Sequence, residues 1–168
     1  MDAKRALVVF YSRTGTTKKV AEAVAGELGA DLEELIDLKS RGGPVGFALA
    51  AKDAALKKLS TIADVKNDPT GYDLVVVGTP VWADTMCCSV RTYLTQQREH
   101  IGKVAFFLTT MRSGAERTFR HMEKLCGKAP AATLGLRAKE VRKGAHLERV
   151  RAFAGRLRGP AANGRGSG

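Results

Sequence analysis

Residues 6–20, Ala-Leu-Val-Val-Phe-Tyr-Ser-Arg-Thr-Gly-Thr-Thr-Lys-Lys-Val, constrain the fold more than any other stretch of the chain. Residues 6–11 form a continuous apolar run rich in β-branched and aromatic side chains, the pattern of a strand buried on both faces. The run stops at Ser12, Arg13, Thr14, Gly15, Thr16 and Thr17, where four of six residues carry hydroxyls and one is glycine. Immediately afterwards Val20, Ala21, Val24 and Leu28 recur at helical spacing. A turn between a buried strand and a helix is a built-in anion site. The first backbone N–H groups of the helix are unpaired, and the helix dipole favours negative charge there. Hydroxyls add donors, and Gly15 permits close backbone approach. A plain helix cap needs one Ser or Thr rather than four, so the turn reads as a phosphate cradle.

The same alternation continues along the chain. Residues 31–38, with Leu32, Leu35 and Ile36 among carboxylates, predict a short edge strand. Residues 40–44 are a cluster of chain breakers. Leu49, Leu56 and Leu59 then lie near helical spacing and predict a helix over 45–62. A turn at 67–71 precedes a second doubly buried strand at 72–78, a loop at 79–84, and a helix with Met86, Val90, Tyr93 and Leu94 inward. Residues 103–109 read as a third central strand, ending in the loop 109–114. A helix over 115–126 would bury Phe119, Met122 and Leu125. A strand at 131–137 and a helix at 145–157, with Leu147, Val150, Ala154 and Leu157 on one face, complete the pattern. Strands alternating with helices imply an α/β fold, a parallel sheet covered on both faces through right-handed crossovers. One domain is expected over 1–157, with the glycine-rich basic residues 158–168 as a disordered tail.

Composition narrows the functional classes. A chain of 168 residues, 44% hydrophobic and 27% charged, suits one globular domain with a sizeable core. No apolar run approaches the roughly 20 residues that span a bilayer. Residues 1–5 lead into a short strand instead of a signal-peptide core, so a cytoplasmic protein is expected. Cys87, Cys88 and Cys126 are an odd number without CxxC or Cys/His spacing, which predicts reduced thiols and no metal site. The net charge is +11, and residues 137–168 hold nine of the 28 Lys and Arg but only two of the 17 acids. A basic face attracts acidic partners. Nucleic acid is disfavoured because aromatics for base stacking are not interleaved with these charges.

In an open parallel sheet, ligands bind beyond the carboxyl ends of the strands, where the winding reverses. Three polar loops fall at such ends: 12–17, 79–84 and 109–114. The first offers a phosphate site, and the other two offer Trp82, Met86 and Met111 as flat or soft apolar surface. Together they describe a mononucleotide with a large aromatic head. His100, His121 and His146 have no Ser or Cys partner at a defined spacing, so no catalytic residue is assigned. Asp84 reads as the N-cap of the helix that follows. Cys87 and Cys88 would lie in that helix's first turn, either as thiols of lowered pKa or as small buried residues near the ligand.

On these residues the chain resembles the flavodoxin family, which binds FMN. Val9 to Thr17 followed by Ala21 and Val24 looks like the family's N-terminal signature. Residues 75–82, Val-Val-Val-Gly-Thr-Pro-Val-Trp, resemble its second segment, and residues 104–110 its third. The resemblance implies a doubly wound open sandwich with a five-stranded parallel sheet in the order 2-1-3-4-5. It implies that Ser12, Arg13 (through its backbone N–H), Thr14, Gly15, Thr16 and Thr17 hold the FMN phosphate. Pro80, Val81, Trp82 and Ala83 would line one side of the isoalloxazine, and Thr110, Met111, Arg112, Ser113 and Gly114 the other.

Typical flavodoxins are acidic and dock on basic partners; this chain is basic, so a reductase and an acceptor with acidic faces are expected. The third loop carries Met111 and Arg112 where an aromatic often stacks. A cation there is expected to stabilise the reduced anionic flavin and raise its potential. The resulting expectation is an FMN-binding electron-transfer protein. The alternative is an NAD(P)H-dependent FMN oxidoreductase of quinone-reductase type on the same fold.

Overall fold

The computed structural model describes residues 4–39 and 43–159. At its centre lies β1 (Ala6–Phe10), all five side chains of which are buried. It pairs in parallel with β2 (Asp31–Glu34) on one side and β3 (Leu74–Trp82) on the other. Beyond β3 follow β5 (Lys103–Thr110) and β6 (Thr133–Arg137), again parallel. A two-residue strand, β4 (Thr85–Met86), folds back antiparallel on the end of β3. With that hairpin set aside, the order β2-β1-β3-β5-β6 is the expected 2-1-3-4-5. The winding reverses between β1 and β3, so their carboxyl ends diverge into loops on opposite faces and leave a crevice between them.

Successive strand residues point to opposite faces, and each face has its own core. Leu7, Val9, Val75, Val77, Val104 and Phe106 pack with Ala50 and Ala54 of α2 (Gly43–Ala55), Val90, Tyr93 and Leu94 of α3 (Cys88–Gln97), and Met122 of α4 (Ala115–Cys126). Val8, Phe10, Val76, Ala105 and Phe107 pack with Val20, Ala21 and Val24 of α1 (Thr16–Leu28) and Val150, Phe153 and Leu157 of α6 (Leu147–Arg158). Gly78 fits β3 to this second core, because a Cβ there would come within 1.9 Å of the Phe107 ring.

Several boundaries differ from the periodicity. The edge strand stops at Glu34, and the helix predicted over 45–62 stops at Ala55. Lys57 turns the chain at φ 54°, after which Ile62 forms a lone antiparallel bridge with Asp37. Leu49, Leu56 and Leu59, expected in the core, are exposed; α2 buries the small Gly46, Ala50 and Ala54 together with Asp53. Small residues let α2 lie close against the sheet, and Asp53 is held by Lys39 at 2.8 Å and Lys58 at 3.8 Å.

Met86 belongs to the β3–β4 hairpin and not to α3. Asp84 is no helix cap: Ala83 and Asp84, at φ 49° and 58°, form the two-residue turn of that hairpin, and Cys87 takes the N-cap position of α3. The last strand starts at Thr133, two residues later than predicted. A short helix, α5 (Ala138–Arg142), was not signalled by the periodicity, and Leu147 is exposed. Arg158, the first residue of the predicted tail, closes α6; residues 160–168 of that tail lie outside the described residues, as do residues 40–42 of the breaker cluster. No helix among the described residues is long and apolar enough to cross a membrane.

Candidate functional site

A cleft of about 770 Å³ opens at the carboxyl ends of β1, β3 and β5. Its floor is the turn from β1 into α1. Gly15 sits in the N-cap position at φ 96°, its amide donating to Ser12 Oγ at 3.0 Å. The first helical bond is Lys19 N to Gly15 O. The amides of Thr16, Thr17 and Lys18 precede it and have no acceptor among the described residues. The hydroxyls of Thr14 and Thr16 are likewise without a partner among those residues. Unpaired donors converge on a helix N-terminus, and no carboxylate among the described residues lines the cleft. That donor set fits a phosphate.

The other two hydroxyls of the turn each have one hydrogen bond within the protein. Thr17 is buried, and its Oγ1 bonds Thr109 Oγ1 at 2.8 Å, tying α1 to the end of β5. Ser12 serves the Gly15 amide. The Thr17 side chain is thus turned to β5 and is not among the residues that line the cleft. The Arg13 guanidinium does not simply face solvent: it lies over the Phe47 ring at 5.2 Å and donates to Gly43 O at 3.1 Å, closing the turn against α2.

One wall is the β3–β4 hairpin, with Pro80, Val81, Trp82 and Ala83. Trp82 is 7% exposed and meets Tyr11 edge to face, centroids 5.5 Å apart. It belongs to the core and presents its remaining surface to the cleft. The hairpin is pinned from behind: Arg91 Nη2 donates to Thr85 Oγ1 at 3.0 Å, and Thr85 Oγ1 lies 2.9 Å from His121 Nδ1. Burial, and then the cations Lys57, Arg117, Arg91 and Arg120, hold His121 below its ordinary pKa.

The opposite wall is the end of β5, with Thr109, Thr110 and Met111, the last 73% exposed at the rim. Arg112 and Ser113 are exposed, and neither they nor Gly114 line the cleft. Gly114 packs instead on the hairpin: at φ 93°, a Cβ there would come within 2.7 Å of Asp84 Oδ1.

Six lining residues, from three helices, escaped the sequence reading. Lys19, one turn into α1, lines the cleft; so do Phe47 and Ala51 of α2, and Ala138, Val141 and Arg142 of α5. Lys19 had a signal, since it lies four residues after Gly15 on the same helical face. The others come from elements whose position only packing decides. Both adjacent thiols are fully buried, and burial pushes Cys87 up to about 12, so the reading as small buried residues holds over that of a reactive thiol.

The sequence pattern of the family Flavodoxin matches residues 5–143, from the start of β1 through α5. The chain belongs to the flavodoxin family. Solved flavoproteins share the fold of this flavodoxin-family chain. One from Lactobacillus acidophilus NCFM, in complex with FMN, is 25% identical with a TM-score of 0.68, over 85% of this chain and 99% of that one. A protein of Bacteroides uniformis is 19% identical with a TM-score of 0.72, over 90% and 98%. Oxidised flavodoxin 2 of Bacillus cereus is 16% identical with a TM-score of 0.57, over 89% and 94%. Among curated proteins none matches.

Proposed function

We propose that this protein binds FMN in the cleft and works as an electron carrier in the cytoplasm. One observation carries the reading: unpaired amides and hydroxyls at the N-terminus of α1 open into the same cleft as the apolar wall of Pro80, Val81 and Trp82. A phosphate and a flat ring are thereby recognised at two ends of one site. Its family, and the FMN carried by the Lactobacillus relative, support the assignment. Thr14, Gly15, Thr16 and the amides to Lys18 would hold the phosphate, and Trp82 and Met111 would flank the ring. Bound FMN supplies one- or two-electron redox chemistry. The chain supplies the phosphate grip, exclusion of water by the buried hairpin, and a positive field at the rim. With a net charge of +11, a reductase or acceptor with an acidic docking face suits it.

The test is the visible spectrum of the purified protein after addition of FMN. Bound-flavin bands and quenched fluorescence are expected; an unperturbed spectrum overturns the reading. A second reading, an NAD(P)H-dependent FMN oxidoreductase, is favoured by the outer wall. Met111 is the β5–α4 loop's contribution there, and no aromatic of that loop covers the ring site. Stopped-flow mixing of the FMN-loaded protein with NADPH separates the two. Bleaching without a reductase supports the enzyme, and no bleaching supports the carrier.

A further inference from the structure

We infer that Lys19 and Arg142 form a cationic clamp on the ligand's phosphate, making this site select phosphorylated flavin by charge. The inference rests on the FMN reading and assigns roles to two side chains outside the turn that signals the cofactor. Among the described residues the cleft is lined by three cations, Arg13, Lys19 and Arg142, and by no carboxylate. Arg13 is committed to Gly43 and Phe47. Lys19 and Arg142 have neither an ion pair nor a hydrogen bond among the described residues.

Their neighbours show that this is not the rule for the region. Lys18 reaches Glu34 at 3.2 Å, Arg149 reaches Glu140 at 3.1 Å, and Arg151 reaches Glu27 at 3.4 Å. The acids nearby thus satisfy the outward cations and leave the two that line the cleft.

The two cations come from separate elements. Lys19 follows directly on the unpaired amides of Thr16, Thr17 and Lys18 and lines the same cleft, and helical side chains lean toward the N-terminus, which is the side of the cradle. Arg142 closes α5, which the Glu140 carboxylate holds in place by accepting from Arg137 N at 2.7 Å and from Arg149. A phosphate monoester carries between one and two negative charges near neutral pH. Amide donors alone leave that charge formally uncompensated, whereas two flanking cations match it and add charge-assisted hydrogen bonds.

The experiment compares FMN with riboflavin, which lacks only the phosphate, by fluorescence titration at low and high salt. The proteins are wild type, Lys19→Ala, Arg142→Ala and, as a charge control, Lys143→Ala, whose side chain is exposed outside the cleft. Expected is roughly a tenfold weakening of FMN binding for each cleft variant, with riboflavin changed less than about twofold. The FMN affinity of both variants should also depend less steeply on salt, and Arg142→Lys should retain most of the preference. Lys143→Ala should behave as wild type. Equal losses for both flavins, or losses as large in Lys143→Ala, overturn the clamp and leave FMN binding standing. Wild-type protein that takes up neither flavin overturns the FMN reading and the clamp with it.

Discussion

Gly114 shows what a single residue can do for the site. It adopts φ 93°, a region in which a Cβ is strained, and a methyl there would press on Asp84 Oδ1 at 2.7 Å and on Asp84 Cα at 3.1 Å. Gly114→Ala should therefore cost on the order of 1–3 kcal/mol in urea unfolding and spread the hairpin from the β5–α4 loop. His121 makes a different, pH-dependent contribution. Its folded-state pKa is lowered, so below about pH 6.5 the unfolded chain takes up a proton that the folded chain does not. Stability should fall as the pH drops from there toward the folded-state value and be indifferent to this group above it. Urea midpoints between pH 5 and 8 should show that slope in wild type and a shallower one in His121→Gln. Neither residue announces itself in the sequence. A glycine after a polar loop fits any turn, and a histidine on a basic helix reads as a surface group until Thr85 is placed beside it.

At the scale of elements, the β3–β4 hairpin and α5 are the two pieces that periodicity did not resolve, and both build the cleft. Two-residue strands and one-turn helices are too short to show a period. The hairpin depends on Thr85, which gives the buried Arg91 guanidinium a hydrogen-bond acceptor. Thr85→Val keeps the shape and removes that acceptor. A loss of about 2 kcal/mol is expected in thermal or urea unfolding, larger than for a surface threonine. Helix α5 depends on Glu140, whose pKa is lowered first by the Arg137 amide and then, against the opposing effect of burial, by Arg149. Stabilisation from a carboxylate of lowered pKa is present above the ordinary glutamate value and lost as pH falls through the folded one. Acid titration of Glu140→Gln should lack that part of the transition, and FMN binding should weaken in it at neutral pH because Arg142 loses its support.

Over the whole molecule, stability lies in the two cores pressed on the sheet. Phe107 is fully buried against the backbone of Gly78. Phe107→Ala should cost about 3–5 kcal/mol, and Gly78→Ala should be comparably damaging because the ring has no room to yield. The broad architecture was legible without coordinates. β1, β3 and β5 are apolar on both faces, so they can only be central parallel strands, and each must end in a loop on the same edge of the sheet. The phosphate cradle was legible for the same local reason, since a strand, four hydroxyls, a glycine and a helix follow one another without interruption. Tertiary structure alone decided which of those hydroxyl-bearing residues line the cleft. Thr17 is bonded to Thr109, ninety-two residues away, and is not among the residues lining the cleft, whereas Thr14 and Thr16 line it without a partner among the described residues. It also decided that Lys19 and Arg142 share one cavity. Side chains 123 residues apart line one cleft only because α1 and α5 follow strands that end at the same edge of the sheet, and no local pattern encodes a proximity made by packing.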